Sequence, residues 1–200
     1  MAHPYIEHLS KDKKLQKIIA VQGELSIRKR SDLCTYLCAS IMSQQLSVKA
    51  ADTIYNRFLD LFEKRKPTAE LILQTTHEQL RAVGLSNAKA QYVRNVAGFH
   101  IEKGMDAKKL DKMTNEEVIG YLTDIKGVGR WTVEMLLMFA LGREDVFAVD
   151  DLGIQQAMTQ LYKLDATDKK VLKEAMIRKS KQWAPYRTYA CMYLWRWKDS

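Results

Sequence analysis

Cysteine, proline and glycine are all scarce in this chain, and long apolar runs are missing. Its 200 residues include only three cysteines, three prolines and nine glycines. Three cysteines cannot form a disulfide framework in a chain of this length, so we expect buried free thiols in a reducing compartment. Because polar residues interrupt the N-terminus and no long apolar span follows, we expect neither a signal peptide nor a membrane segment, and hence an intracellular protein. The cysteines are Cys34, Cys38 and Cys191.

Acidic residues are in deficit relative to basic ones. The chain has 32 Lys and Arg against 24 Asp and Glu, which gives a formal net charge of +8. A positive balance of this size favours a polyanionic partner without identifying it. The basic residues fall in short clusters that we interpret mainly as solvated helix ends, at positions 11–14, 28–30, 64–66 and 169–170.

Strand-like alternation is nearly absent, whereas apolar residues recur at the spacing of helices. Two pairs of residues have the spacing of capping boxes, so a helix should begin at each of them. We therefore predict an all-α fold of nine or ten helices. The capping boxes are Thr76 with Gln79 and Thr114 with Glu117, and the other predicted helices span about 32–42, 47–63, 87–100, 151–162 and 167–180, with further helices after Arg130 and Pro185.

The length of the chain allows one sizeable core or two intimate lobes. No low-complexity segment or Gly/Pro-rich linker separates its parts. Any lobes should therefore share an interface instead of hanging on a tether, and a cleft between them would be a natural ligand site.

The most informative stretch is IKGVGRWTVEMLLMFALGREDVFAVDD, which occupies positions 125–151. A capped helix before the Gly127 to Gly129 turn and an apolar helix after it form a helix-hairpin-helix layout. Backbone N–H groups at such a glycine turn suit a DNA phosphate, and Lys126 and Arg130 add positive charge on either side. The structural alternative is a helix that ends in a glycine C-cap.

Asp150 and Asp151 follow the apolar run that ends at Val149. Aspartate is a favoured helix N-cap, so a structural role explains at least one of the pair. The functional alternative is a carboxylate that stabilises positive charge or acts as a base for water. The spacing alone leaves both interpretations open.

The order of glycine hairpin, RWT, apolar helix and VDD resembles the helix-hairpin-helix DNA glycosylase superfamily. Agreement covers most of the chain, because SQQLSVKAA, GLSNAKAQYV and WAPYRTYACMYLW are similar to the alkylbase, or DNA-3-methyladenine glycosylase II, subgroup. The resemblance implies a two-lobed helical bundle with a helix-hairpin-helix motif and a central cleft. One lobe would span 33–143 and the other would combine 1–32 with 144–200.

On this resemblance Asp151 is the catalytic residue, since Asp151-Leu152-Gly153-Ile154 matches the family motif. Asp150 becomes a supporting or capping carboxylate. Asp151 would stabilise oxocarbenium character at the sugar and orient or deprotonate the attacking water. A base methylated at a ring nitrogen is already cationic and leaves easily, so one carboxylate can replace the usual pair.

The resemblance places Trp131 and Trp195 in the base pocket, where aromatic faces would attract a cationic base. Without the family, both tryptophans would be interpreted as core residues. Met135 stands where the bacterial enzyme has another pocket aromatic. Bifunctional relatives carry a lysine nucleophile where this chain has Trp131, which argues against Schiff-base lyase chemistry.

The link between the first two long helices aligns with the loop that fills the gap left by the flipped base. Gln45 takes the wedge position, and the bland alternative is ordinary loop polarity with Leu46 packed in the core. Lys126 departs from the proline that many members have before the first hairpin glycine. The predicted DNA-binding set is Gln44, Gln45, Lys126, Gly127, Val128, Gly129 and Arg130.

Cofactor expectations also come from the resemblance. Iron–sulfur members carry four cysteines near the C-terminus, which Cys191 alone cannot supply, so no cluster is expected. We expect no metal bound by side chains, and at most an alkali cation held by backbone carbonyls of the hairpin.

Together these features predict a monofunctional DNA glycosylase that flips alkylated purines, of the 3-methyladenine type, out of duplex DNA and hydrolyses the N-glycosidic bond. It should act as a monomer, in the cytoplasm or nucleoid of a bacterium or in the nucleus of a eukaryote. The alternatives are a non-catalytic helix-hairpin-helix damage sensor and a glycosylase for deaminated bases.

Overall fold

The computed structural model describes residues 3–200, and within this range the chain forms helices and turns but no strand. The all-α prediction is therefore confirmed. None of the helices in this range is long and apolar enough to cross a membrane. The helices are α1 Pro4–Leu9, α2 Lys13–Gln22, α3 Leu33–Ser43, α4 Val48–Leu59, α5 Ala69–Gln74, α6 His77–Ala82, α7 Asn87–Lys103, α8 Ala107–Leu110, α9 Asn115–Thr123, α10 Arg130–Phe139, α11 Leu152–Tyr162, α12 Lys169–Ser180 and α13 Arg187–Lys198.

The predicted number of helices is too low, because residues 3–200 contain thirteen α-helices. Several additional helices are short, and α1, α5 and α8 have only six, six and four residues. Fewer than two turns cannot display the repeat of 3.6 residues from which helices were predicted.

Side-chain caps define where the predicted helices begin. Both capping boxes are formed, with Thr76 and Thr114 each accepting from the backbone three residues later while that residue's side chain accepts in return. The helix expected over 47–63 ends earlier, at Leu59, and a 3₁₀ turn follows at Glu63–Arg65. Lys64 and Arg65 there adopt left-handed φ angles of 55° and 56°, which a continuous α-helix does not allow.

The chain divides into two compact units. One is Lys29–Leu136, and the other combines the described part of Met1–Arg28 with Leu137–Ser200. The boundaries 32/33 and 143/144 remain the sequence-based prediction.

Helix α7 is the central element of the Lys29–Leu136 unit, where it packs against α3, α5 and α6, while α3 also packs on α4. These contacts bury apolar residues that recur at helical spacing on α3 and α7. Cys34 and Cys38 lie in this core as free thiols, and Cys191 is a buried free thiol of the other unit. The predicted burial of the cysteines as thiols without disulfides is confirmed. Fully buried members of the core include Leu37, Cys38, Ile41, Val93 and Val96.

In the other unit α13 packs against α2 and α11. Aromatic rings form much of this core, with Tyr5 stacked on Tyr189 at 3.9 Å between centroids and Trp183 fully buried. Large aromatic side chains bury much apolar surface for each ordered residue, which suits a small core.

Asp12 connects the N-terminal helices of this unit to its C-terminal ones. Its Oδ1 accepts from the backbone at the start of α2, and its Oδ2 accepts from Tyr162, Trp183 and Lys179. Burial would raise the pKa of this carboxyl, but the bonds from Lys179, Trp183, Lys14 and Tyr162 together hold its pKa below the usual value. Asp12 is thus a buried anion whose stability depends on several donors at once.

Asp12→Asn should lower the free energy of unfolding at neutral pH by about 3–5 kcal/mol, since it removes a buried charge that several donors surround. Because the folded pKa is depressed, the part of this loss that depends on the charge is complete above the unfolded value of about 3.8 and disappears as pH falls through the folded value. Urea denaturation of both proteins between neutral and acid pH measures the difference.

The matched control is Asp168→Asn, which changes an exposed N-cap of α12 that asparagine can replace. We expect a change within about 0.5 kcal/mol at every pH. Equal losses in the two variants would contradict the role given to Asp12.

Candidate active site

The predicted hairpin joins α9 to α10 through residues 124–129. The Val128 amide donates to the Ile125 carbonyl at 2.9 Å, which closes the turn. Val128 is buried, whereas Lys126 and Gly129 are exposed. The buried valine anchors the turn, and its flanking residues face solvent.

Gly127 has a structural reason to be glycine. Its φ is +105°, and a Cβ built there would lie 2.2 Å from Cγ of Tyr92. Both the backbone conformation and the ring therefore exclude a side chain. The group that approaches Gly127 closely is thus the chain's own Tyr92.

Gly129 differs, because a Cβ there would meet nothing within 4 Å. Its carbonyl accepts from Val133, so Gly129 stands at the first turn of α10. Backbone N–H groups at a helix start are available to an anion, and glycine lets that anion come close.

Arg130 is engaged inside the unit. Its Nη1 and Nη2 donate to the two carboxylate oxygens of Glu116 at 2.9 and 2.5 Å, and its Nε donates to Glu134 at 3.0 Å. The pKa of Glu116 is lowered by the hydrogen bond from Arg130. Arg130 therefore braces α9 against α10 and has its charge balanced by two acids. Neither ion pair was predicted from the sequence. Arg130 and Glu134 are one helical turn apart, which is a spacing at which opposite charges can pair.

The two predicted pocket residues of α10 differ in exposure. Trp131 is 39% exposed, unusually high for a tryptophan, whereas Met135 is buried at 8%. The hydroxyl of Tyr36 donates to the carbonyl of Met135 at 3.2 Å. The structure therefore presents Trp131 at the surface of its unit and places Met135 mainly in the core.

The predicted wedge segment, residues 44–47, is the link between α3 and α4, and we call it the wedge loop. Gln45 is exposed and has a left-handed φ of 59°. Gln44 is half-buried, and its Nε2 donates to Oγ1 of Thr132 on α10 at 3.3 Å. Leu46 is 39% exposed, which argues against the alternative that it packs in the core.

Three residues of α7 that the sequence did not single out hold these segments. Lys89 Nζ donates to the carbonyls of Met42 and Gln44, at the start of the wedge loop. Tyr92 packs over Gly127, and Asn95 Nδ2 donates to the carbonyl of Lys126 at 3.0 Å. Spacing of three residues on one helix was the available signal, but it did not indicate what the residues contact.

Asp151 and Trp195 come together in the other unit. Oδ1 of Asp151 accepts from the Ile154 amide and from Trp195 Nε1, both at 2.8 Å. A Cβ at Gly153 would lie 3.0 Å from Trp195 Cδ1 and 3.1 Å from Asp151 Oδ1, so glycine gives the indole room. The carboxylate is thus oriented by a helix start and by an aromatic donor, with the Trp195 ring also 5.9 Å from that of Phe139.

The capping role expected for Asp150 needs a correction. Asp151 is the N-cap of α11, whereas Asp150 forms a salt bridge with Lys173. Asp150 precedes the N-cap position, so its side chain is not the one that reaches the first amides of the helix. The proposed reactive residue and the cap are therefore the same carboxylate.

Comparisons with known proteins identify the family of this chain. Residues 38–182 match the family described as HhH-GPD superfamily base excision DNA repair protein. The DNA-3-methyladenine glycosylase 1 of Schizosaccharomyces pombe is 40% identical over 162 residues, which are 80% of this chain and 70% of that protein. The chain therefore belongs to the HhH-GPD superfamily, and the predicted family is confirmed.

Solved structures are similar over nearly the whole chain. The 3-methyladenine DNA glycosylase Mag1 of Schizosaccharomyces pombe, in complex with abasic DNA, has a TM-score of 0.87 and 33% identity, covering 99% of this chain and 98% of that one. A DNA-3-methyladenine glycosidase of Bacillus halodurans has a TM-score of 0.86 and 37% identity, with 99% and 90% covered. The helical fold is thus that of known glycosylases.

Gly127→Ala should destabilise the protein by about 3 kcal/mol, because it combines a left-handed φ with a clash against Tyr92. Gly129→Ala is the matched control, and we expect a change within about 1 kcal/mol since the space is open. Chemical denaturation measures both. Similar losses in the two variants would contradict the different roles of the glycines.

Proposed function

We propose that this protein is a monofunctional DNA glycosylase that releases alkylated purines of the 3-methyladenine type from duplex DNA. The observation that carries the proposal is the Asp151 carboxylate, oriented through Oδ1 by the Ile154 amide and the Trp195 indole. Relatives named DNA-3-methyladenine glycosylases support the substrate class. We propose that it acts in the compartment that contains the DNA.

The reaction we propose is hydrolysis of the N-glycosidic bond. As the bond breaks, positive charge develops on the sugar, and the fixed carboxylate of Asp151 stabilises it and directs water to the anomeric carbon. An alkylated purine already carries positive charge, so it leaves as a neutral base without a general acid. No lysine follows Arg130, since Trp131 stands there, and the proposal includes no Schiff-base step.

Trp195 has an indole beside the carboxylate and would offer an aromatic face to a cationic base, an attraction of roughly 0.5–2 kcal/mol. The resemblance assigns the same role to Trp131, whose surface exposure suits contact with a ligand. Met135 is proposed only as an apolar neighbour in α10, because its side chain is buried.

We propose that DNA is held as a duplex by a monomer, through the hairpin. The exposed start of α10 at Gly129 would bind a phosphate through backbone N–H groups, with charge from Lys126. Arg130 contributes by bracing the two helices, since its guanidinium is bonded to Glu116 and Glu134. Gln45 would fill the gap in the base stack after the target nucleotide has been flipped out.

We also propose that an alkali cation binds at backbone carbonyls of the hairpin. The Ile125 carbonyl accepts from Val128 and the Lys126 carbonyl accepts from Asn95. Each carbonyl oxygen has two lone pairs, so these bonds do not use its full acceptor capacity. Neutral carbonyl oxygens are ligands that can replace the hydration shell of a monovalent cation. The bound ion would add positive charge near the phosphate.

Asp151→Asn tests the catalytic role. Asparagine is an equally good N-cap and keeps an oxygen for Ile154 and Trp195, so the variant should fold while its rate of base release from methylated duplex DNA falls by about two orders of magnitude or more. Single-turnover release of free base measures the rate, and thermal unfolding checks the fold.

Two other results would point elsewhere. If wild type and variant both bind DNA but neither releases a base, the protein is a damage sensor. If wild type releases only uncharged deaminated bases, the role of the aromatic faces toward a cation is wrong.

Lys126→Gln tests the phosphate contact. Removing one phosphate-neutralising charge should reduce the magnitude of the negative slope of log Kobs against log salt by about one. The free energy of unfolding should not change. The comparison is Arg130→Lys, which keeps the charge but loses the paired bonds to Glu116, so it should lower stability and keep the slope. An unchanged slope in Lys126→Gln would exclude that contact.

A further inference from the structure

The wedge loop has an unusual conformation for its sequence. Gln45 lies in the left-handed region, which side chains larger than glycine rarely adopt. Such a conformation persists only where the surrounding structure determines it. Gln45 itself is exposed, and it lies in a turn that the Leu46 amide closes by donating to the Ser43 carbonyl at 3.2 Å, so the residues beside it hold this conformation.

Lys89 holds the segment that leads into Gln45. Its ammonium donates to the Met42 carbonyl at 2.9 Å and to the Gln44 carbonyl at 2.6 Å. Helix α3 ends here, and the last carbonyls of a helix lack partners within it and carry partial negative charge. A lysine can satisfy two such carbonyls because its three N–H donors point in different directions.

Two further hydrogen bonds hold the two ends of the loop. Gln44 donates from its side chain to Thr132, and Ser47 caps the start of α4 by accepting from Ala50. Between these attachments the Leu46 amide donates to the Ser43 carbonyl at 3.2 Å, and the side chains of Gln45 and Leu46 are both exposed. The bonds of Lys89 therefore order a segment that adds little to the apolar core.

Lys89 belongs to the same helix that braces the hairpin. Tyr92 and Asn95 follow it on α7, and they contact Gly127 and Lys126. The six residue steps from Lys89 to Asn95 extend about 9 Å along the helix. Helix α7 thus sets the separation between the wedge loop and the phosphate-binding turn.

Burial lowers the pKa of the Lys89 ammonium, so placing it here has a desolvation cost that the two carbonyls offset. Arg94, on the same helix, offers a direct comparison. Its Nη1 donates to the carbonyls of Leu73 and Thr75, at the end of α5. Both side chains close a helix end with a charge, but only Lys89 does so at the wedge loop.

We propose that Lys89 is a positioning residue for nucleotide flipping, which keeps the wedge loop in the conformation that presents Gln45 to the base stack. The proposal rests on the proposed function, in which Gln45 is the wedge. Lys89 acts through Gln45 and does not itself touch the reacting atoms.

The first experiment compares Lys89→Met with Arg94→Met. Both should lower the melting temperature, because each leaves two carbonyls without their charged donor. Single-turnover base release from methylated duplex DNA should fall roughly tenfold in Lys89→Met and stay within about twofold of wild type in Arg94→Met. Lys89→Arg keeps the charge and should fold, with a rate between those of wild type and Lys89→Met.

The second experiment is a double-mutant cycle with Gln45→Ala. If Lys89 acts through Gln45, adding Lys89→Met to Gln45→Ala should change the rate by less than about twofold. A probe without chemistry is 2-aminopurine beside an abasic-site analogue, whose fluorescence on binding reports insertion into the gap. Lys89→Met should reduce this change, and Arg94→Met should preserve it.

Each outcome decides the matter. Equal rates in Lys89→Met and Arg94→Met, or a full tenfold loss in the Gln45→Ala background, would overturn the positioning role. An unaltered fluorescence change in Lys89→Met would do the same. If wild type releases no base although the fluorescence changes as expected, the proposed catalytic function fails while the positioning of the wedge loop stands.

Discussion

The contact between Tyr92 and Gly127 is the constraint on which the hairpin of the Lys29–Leu136 unit depends. The aromatic ring occupies the space of a missing Cβ, and the turn at +105° is available because that side chain is missing. Helix α10 starts three residues later, with Trp131 and Thr132 in its first turn. Since Thr132 accepts from Gln44, the wedge loop takes its position from the same packing. One aromatic contact thus supports both the hairpin and the loop.

Positive charge in this unit is used largely for internal structure. Arg130 is paired with two acids, and Lys89 and Arg94 close helix ends through backbone carbonyls. The formal charge of +8 therefore overstates how much charge near the hairpin can reach a phosphate. Lys126 is exposed there, and backbone N–H groups at the start of α10 provide attraction that no count of charged residues includes.

Asp151 resolves what looked like a choice between a structural and a functional aspartate. One oxygen caps α11 and receives the Trp195 indole, and these bonds orient the same carboxylate that we propose to act on the sugar. Asp150 is instead paired with Lys173. Capping and catalysis are compatible because a helix start is a place where a negative charge is stabilised and held still.

The sequence by itself determined the helical class, both capping boxes, the glycine hairpin and the family, since these follow from local spacing and from motifs that stay together along the chain. It missed short helices such as α5 and α8, which have too few turns to show a period. Only the tertiary structure decided that Gly127 serves Tyr92, that Arg130 pairs with Glu116, and that Lys89 bonds the end of α3. The two partners of these pairs are 35, 14 and 47 residues apart in the sequence, respectively. No local pattern encodes such contacts, because they exist only after packing brings separate helices together.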